Sequence, residues 1–190
     1  MRKERSMNID ENKLEILPEV REDYAAIAEV NNLAFGRENE AKLIAKIRKS
    51  TMSTATLCDR YIAELSLVAK LDNKVVGHIM FSYIDLVNKE TIKVLALAPV
   101  AVLPKYQNKG IGSLLIKTGL EIAESIQTPM IIVLGEPKFY NRFGFKPAIN
   151  YGIQSPFDVP NEYFMVKHLN SESEKLSGII SYPSAFQNVE

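Results

Sequence analysis

Apolar and polar residues repeat along this 190-residue chain with spacings that change from helical to extended and back. "KLEIL" (13–17) alternates as an edge strand does, and Pro18 closes it. Val20, Tyr24, Ile27, Val30, Ala34 and Phe35 then fall at helical spacing, with Gly36 as the stop, so 20–35 is predicted as a helix. Leu43, Ile44 and Ile47 predict a second, shorter helix over 38–49, and the Ser- and Thr-rich residues 50–61 read as a loop. Strands are predicted over 65–71 and 75–86, joined by the turn Asp72-Asn73-Lys74 as a hairpin. The next strand, 91–103, is apolar on both faces towards its end and is therefore expected to be central. From Gly110 to about Ser125 a helix carries Ile111, Leu115, Ile122 and Ile126 on one stripe. A buried strand (129–135), a short helix (138–143) ended by Gly144 and a strand (163–169) follow. The polar residues 1–12 read as frayed and 171–190 as a loose, Ser-rich tail, which leaves 13–170 as one domain. This order of elements is that of an α/β chain forming a mixed sheet with helices on its faces.

Composition narrows the possibilities without naming a chemistry. The chain is 46% hydrophobic and 24% charged, enough for an ordinary core. Its 23 basic and 23 acidic side chains cancel, which argues against a surface built mainly to hold nucleic acid. Cys58 stands alone, so no intramolecular disulfide can form and a reducing compartment is the simple expectation. The charged N-terminus leads into no apolar signal core, and no apolar run approaches the roughly 18 residues that span a bilayer. A cytoplasmic protein with no membrane partner is expected. His78, in the apolar run "VVGHIMF", is expected to serve the core or a cross-strand hydrogen bond. His168 lies in another strand without companion ligands, and no metal site is expected.

Candidate chemistry enters at "YQNKGIGSLL" (106–115), where a strand runs through glycines into a helix. Such a junction presents free N–H groups at the positive end of a helix dipole, a setting suited to phosphate oxygens. The pattern G-x-x-x-x-G-K-[ST] is absent, and G-x-G-x-x-G fails because Leu115 stands at the third glycine position. Taken alone, Gly110 and Gly112 fit either a phosphate site or a tight turn. Pro99, inside the central strand, deletes one ladder donor and marks a bulge, a splay or the strand's end.

The longer stretch "VAVLPKYQNKGIGSLLI" (100–116) resembles the acetyl-coenzyme A motif of the GNAT superfamily of N-acetyltransferases, Q/R-x-x-G-x-G/A, with Gln107, Gly110 and Gly112 at its defined positions. "GEPKFYNRFGF" (135–145) looks like that family's second signature, and "ELSLVAKLDNKVVGHIMFSYI" (64–84) like the hairpin of its YhbS-like branch. The resemblance implies a central, mostly antiparallel sheet with splayed strands flanked by helices. It also implies an acetyl-CoA-dependent transfer to a primary amine by direct attack on the thioester. The N–H groups of Asn108, Lys109, Gly110, Ile111 and Gly112 would then wrap the coenzyme's pyrophosphate, with no Cβ at the glycines to hold the oxygens away. Main-chain groups of Val100 and Val102 would receive the pantetheine arm, and an N–H near Val102 the developing oxyanion. Tyr140 would serve the departing sulfur. Where many members carry an asparagine before the tyrosine's helix, this chain reads Gly135-Glu136-Pro137.

Lys105, Lys109 and Arg142 are candidates to neutralise phosphates. Asp85, Glu90, Glu38 and Glu40 are candidate bases, beside relay of the proton by water. The acceptor, a small-molecule or peptide amine, is expected between the first helices and the late loop 150–164, in a monomer or homodimer. Two other classes remain open: an acyl-CoA sensor that catalyses nothing and has no use for Tyr140, and an α/β domain holding a nucleotide through the same loop.

Overall fold

The computed structural model describes residues 13–50 and 60–186. The expectations for 1–12 and for Cys58, and most of the predicted loop 50–61, lie outside the described residues. Strand β1 (Leu14–Pro18) is an edge strand, antiparallel to β2 (Tyr61–Leu71). A tight turn at Asp72 and Asn73, both at positive φ, joins β2 to β3 (Lys74–Val87). β4 (Thr91–Val102) follows antiparallel and lies mid-sheet as expected. The sheet continues through β5 (Met130–Leu134), parallel to β4, to β8 (Phe164–His168) and the two-residue β6 (Lys146–Pro147).

Both faces of the sheet are covered because its central strands alternate between two apolar sets. Leu95 and Leu97 of β4 point to the face covered by α3 (Ile111–Ser125), where Ile111, Leu115, Ile116, Leu120 and Ala123 are buried against Leu67, Ile79 and Phe81. Each large aliphatic side chain buried there contributes on the order of 1.5–3 kcal/mol. Val94 and Ala96 point to the other face, which packs against the late segments and, further along β2 and β3, against α1 (Tyr24–Phe35) and α2 (Asn39–Ser50). The first helix starts later than its spacing predicts. Residues Arg21–Asp23 form a 3-10 turn in which the Asp23 carboxylate accepts from the Val20 N–H at 3.2 Å.

Beneath these helices lies a buried polar network. Glu19 accepts two hydrogen bonds from Arg48 of α2 and one from Tyr61 (2.8 Å), and lies 3.4 Å from His78. The fully buried His78 shares a hydrogen bond with Ser66 across β2 and β3 at 3.1 Å, the cross-strand role its sequence setting predicts. Burial alone would raise the Glu19 carboxyl, but hydrogen bonds from His78, Arg48 and Ser66 outweigh it and hold the group at about 2. Burial pushes His78 down, keeping it neutral.

The C-terminal segment departs from the loose tail expected for 171–190. Glu172–Lys175 form a 3-10 turn, and β9 (Gly178–Ser181) pairs antiparallel with Asp85, Leu86 and Val87 of β3 and parallel with β7 (Ile153–Gln154). The pairing of β2 with β3 ends at Ser82, which leaves that edge of β3 open further along. β9 fills it and buries Ile180 in the core.

Candidate active site

The site begins where the sheet comes apart. β4 and β5 pair only at Leu95–Ile131 and Ala96–Ile132, although β4 runs on to Val102 and β5 to Leu134. Opposite this point the β3–β4 register slips between Ile79 and Phe81, so Ala98 and Pro99 form a bulge against Met80. Pro99 therefore marks a bulge and a splay rather than the strand's end.

The main-chain groups facing the gap follow from the ladder. Leu103 N–H donates to Val76 C=O at 2.9 Å, and hydrogen-bonded pairs alternate along an antiparallel ladder. Ala101 and His78 are thus the next bonded pair, while Val100 and Val102, opposite Ile79 and Gly77, turn their N–H and C=O groups away from β3. That direction is the open wedge. One of these groups is already engaged: Gln107 Nε2 donates to Val102 C=O at 3.0 Å, tying the loop to the end of β4.

Helix α3 starts at the mouth of the wedge. Gly110 is its N-cap at φ 86°, a left-handed conformation that costs an L-residue roughly 1–2 kcal/mol, and no side chain caps the helix. Leu114 N–H makes the first helical bond, to Gly110 C=O. The N–H groups of Gly110, Ile111, Gly112 and Ser113 therefore have no acceptor within the helix. Asn108, at φ 59°, and Lys109 lead into this row. A Cβ at Gly112 would sit 3.7 Å from Val102, in ordinary contact, so the fold itself tolerates one. The bare position matters only to something placed between α3 and β4.

Three cations stand around these donors. Lys105 and Lys109 lie over the Tyr106 ring, 4.8 and 5.7 Å from its centroid. Arg142 donates to Ser113 Oγ and to Phe139 C=O, both at 3.0 Å, and stacks on Phe139 and Phe143. It thereby joins the segment carrying Tyr140 to the first turn of α3.

Tyr140 ends the short helix α4 (Pro137–Tyr140) and is buried, its ring edge-on to Phe139 and Phe145. The ring packs against Gly135, where an added Cβ would approach it to 2.3 Å. This close approach gives the glycine at 135 a packing reason that its sequence position does not reveal. Burial pushes the Tyr140 phenol up to about 12, so it remains a donor through the whole neutral range.

Tyr140, Pro99, Val100 and Gly135 share a cleft of about 1490 Å³ that continues between α1, α2, the late loop and the C-terminal segment. A pocket for a drug-sized ligand measures about 300–1,000 Å³, so this one has room for two reactants. The candidate bases separate here. Asp85 accepts from Nη1 and Nη2 of Arg60 at 2.8 and 2.7 Å, Glu90 lies in the β3–β4 turn, and Glu38 is exposed and paired with Lys42. None of the three lines the cleft; Glu40 does, bound by Arg37 at 2.6 Å. Glu136 and Asp158 also line it and were not singled out in sequence, since lone acidic residues in irregular segments carry no signature. His168 shares a hydrogen bond with Ser173 at 3.0 Å, outside the cleft. Among the described residues no group of His, Cys, Asp or Glu could hold a metal, and no helix is long and apolar enough to cross a membrane.

Known proteins share this fold. The chain is 33% identical to the uncharacterized N-acetyltransferase YjhQ of Escherichia coli K12, over 84% of its own length and 87% of that protein's. It is similar to the crystal structure of the GNAT family N-acetyltransferase YhbS from Escherichia coli in complex with CoA. Identity there is 25% and the TM-score 0.82, with 93% of each chain covered. A GNAT family acetyltransferase from Brucella melitensis, solved in complex with acetyl-CoA, superposes with a TM-score of 0.73 at 28% identity, over 92% of this chain and 98% of the other. The Acetyltransferase (GNAT) family matches residues 24–145, which carry the splayed strand, the glycine loop and the tyrosine, and the chain belongs to that family.

Proposed function

We propose that this protein transfers the acetyl group of acetyl-CoA to a primary amine by direct attack on the thioester. The observation that carries the reading is the alignment of the wedge between β4 and β5 with the free donors that open α3. A long ligand with a diphosphate at one end and a hydrogen-bonding arm suits both. In this reading the N–H groups from Asn108 to Gly112 hold the pyrophosphate, and Gln107 keeps the loop in register by its bond to Val102 C=O. Lys105, Lys109 and Arg142 supply positive charge at the rim. Main-chain groups of Val100 and Val102 extend the sheet's hydrogen bonding to the arm.

Acetyl-CoA supplies an activated carbonyl: a neutral amine forms the C–N bond, the C–S bond breaks with its electron pair on sulfur, and the amine's surplus proton leaves through water or a carboxylate. The N–H at Val100, which shares the cleft with Tyr140, faces the wedge and donates to the charge that develops on the carbonyl oxygen. Tyr140 donates to the sulfur. With the phenol at about 12 and a thiol near 8.5, complete proton transfer is uphill by roughly 5 kcal/mol. Tyr140 therefore acts by hydrogen bonding to sulfur as the bond breaks.

Thermal unfolding in parallel with acetyl-CoA, CoA, ATP and NAD tests the ligand. At 100 times its Kd a ligand of the folded state adds about 2.7 kcal/mol, a rise in Tm of about 5–11 °C for a chain of this size. A rise with both coenzymes but with neither ATP nor NAD is expected, followed by amine-dependent thiol release. A rise with ATP or NAD alone would replace this reading by nucleotide binding.

A further inference from the structure

Beyond the wedge the cleft is built from side chains, and its two polarities are unbalanced in a way that specifies an occupant. One wall is aromatic. Phe157 of the late loop, Tyr182 after β9 and Phe186 form a continuous set of rings, with successive centroids 5.1 and 4.9 Å apart. Phe35, at the end of α1, lines the same cleft. Phe35 and Phe157 remain 42% and 44% exposed, so a large apolar surface stays open to water inside a concavity. Covering such surface with a ligand is favourable, and grouped exposure of this kind marks a binding face.

The charges of the lining point the same way. Arg37 is the one cation among the lining residues, and Glu40 occupies it through hydrogen bonds from Nε and Nη2. Glu136 and Asp158 are in no ion pair among the described residues. Among the described residues the only hydrogen bond at the Glu136 side chain is a long one, 3.5 Å, from Lys138 N–H. A carboxylate or phosphate on the acceptor would meet two unpaired negative charges and a single cation already engaged by Glu40. An ammonium group meets two partners. A polyhydroxylated or polycationic acceptor would satisfy the carboxylates but leave the rings uncovered.

We propose that the acceptor is a primary amine carried on a flat, apolar body, aromatic in the simplest case, that bears no carboxylate or phosphate. The inference rests on the acetyl transfer proposed above and names its acceptor class. Phe157, Tyr182 and Phe186 cover the body. Asp158 and Glu136 attract the ammonium form before a proton is lost and attack begins.

The test is calorimetric titration of the full chain, first with CoA and acetyl-CoA and then, saturated with CoA, with four probes. These are 2-phenylethylamine, phenylalanine (the same body with a carboxylate), 2-phenylethanol (the same body without charge) and spermidine (charge without a ring). The amine is expected to bind at least tenfold more tightly than each of the others. Asp158→Asn should narrow the gap to 2-phenylethanol and Phe157→Ala the gap to spermidine, both leaving acetyl-CoA affinity within twofold. Equal or tighter binding of phenylalanine or spermidine, or no binding of 2-phenylethylamine to a protein that holds CoA, overturns the acceptor class while acetyl transfer stands. Failure to bind either coenzyme overturns both.

Discussion

The two halves of the cleft are made of different material. The half proposed for the coenzyme is main chain: the edge of β4 at Val100 and Val102, the loop from Gln107 and the opening turn of α3. The half proposed for the acceptor is side chain, contributed by α1, α2, the late loop and the segment after β9. Backbone donors offer every member of a family the same geometry, provided the chain can take the required φ values. Side chains can be exchanged without disturbing the sheet. A fold divided in this way can keep its coenzyme while changing its acceptor, and Tyr140 stands at the boundary, supported by Gly135 from below.

The largest expected effect breaks the acceptor half at its foundation. Arg48→Ala removes the partner of the buried Glu19 and should cost about 3–5 kcal/mol of stability in chemical denaturation. The same network fixes a pH dependence. Glu19, held at about 2 against 4.5 unfolded, contributes about 3 kcal/mol that is fully present above pH 4.5 and is lost as pH falls towards 2. Wild-type stability should therefore decline across that window, and the variant's, which keeps the His78 and Ser66 hydrogen bonds, should decline less.

Next in size is the boundary. Tyr140→Phe should lower kcat roughly 10²-fold, about 2.7 kcal/mol, with an unchanged Kd for acetyl-CoA. An unchanged kcat would remove the phenol from the chemistry. Because burial holds the phenol at about 12, the wild-type rate should show no fall below pH 11 assignable to this group.

Gly135→Ala sharpens the same point without touching the hydroxyl. Its Cβ would meet the Tyr140 ring at 2.3 Å, so the ring must move. A stability loss of about 1–3 kcal/mol and a fall in kcat of about tenfold are expected, read by denaturation and by steady-state rates. The smallest change belongs to the coenzyme half. Gly110→Ala forces an L-residue to φ 86° at a cost of about 1–2 kcal/mol. Acetyl-CoA affinity should fall about tenfold while the amine KM stays as it was; a raised amine KM would mean that the two halves are not separable.

The difference between the halves also explains what could be read in the sequence. Gln107, Gly110 and Gly112 are legible because backbone geometry at a strand-to-helix junction demands particular residues at fixed spacing. Pro99 announced an interruption of β4 for the same kind of reason, and the slipped register opposite Met80 is that interruption. Glu136, Asp158, Phe157 and Tyr182 have no comparable signature, because their meaning depends on what lies across the cleft from them. Among the four carboxylates picked out as bases, only Glu40 reaches the cleft, and nothing within a short window distinguishes it from Glu38 two residues earlier.

What the sequence determined by itself is therefore local: the periodicity of the main helices and strands, the turn at Asp72-Asn73, the opening of α3 at Gly110 and the placing of Tyr140 just after β5. These follow from φ/ψ limits and from burial of one face at a time. Tertiary structure decided the rest. It set β9 against the open edge of β3, although Ser-rich residues 171–190 show little pattern, because unpaired strand edges and the apolar Ile180 gain more from docking than from water. That docking places the segment holding Tyr182 and Phe186 beside Phe157, and so builds the aromatic wall proposed for the acceptor.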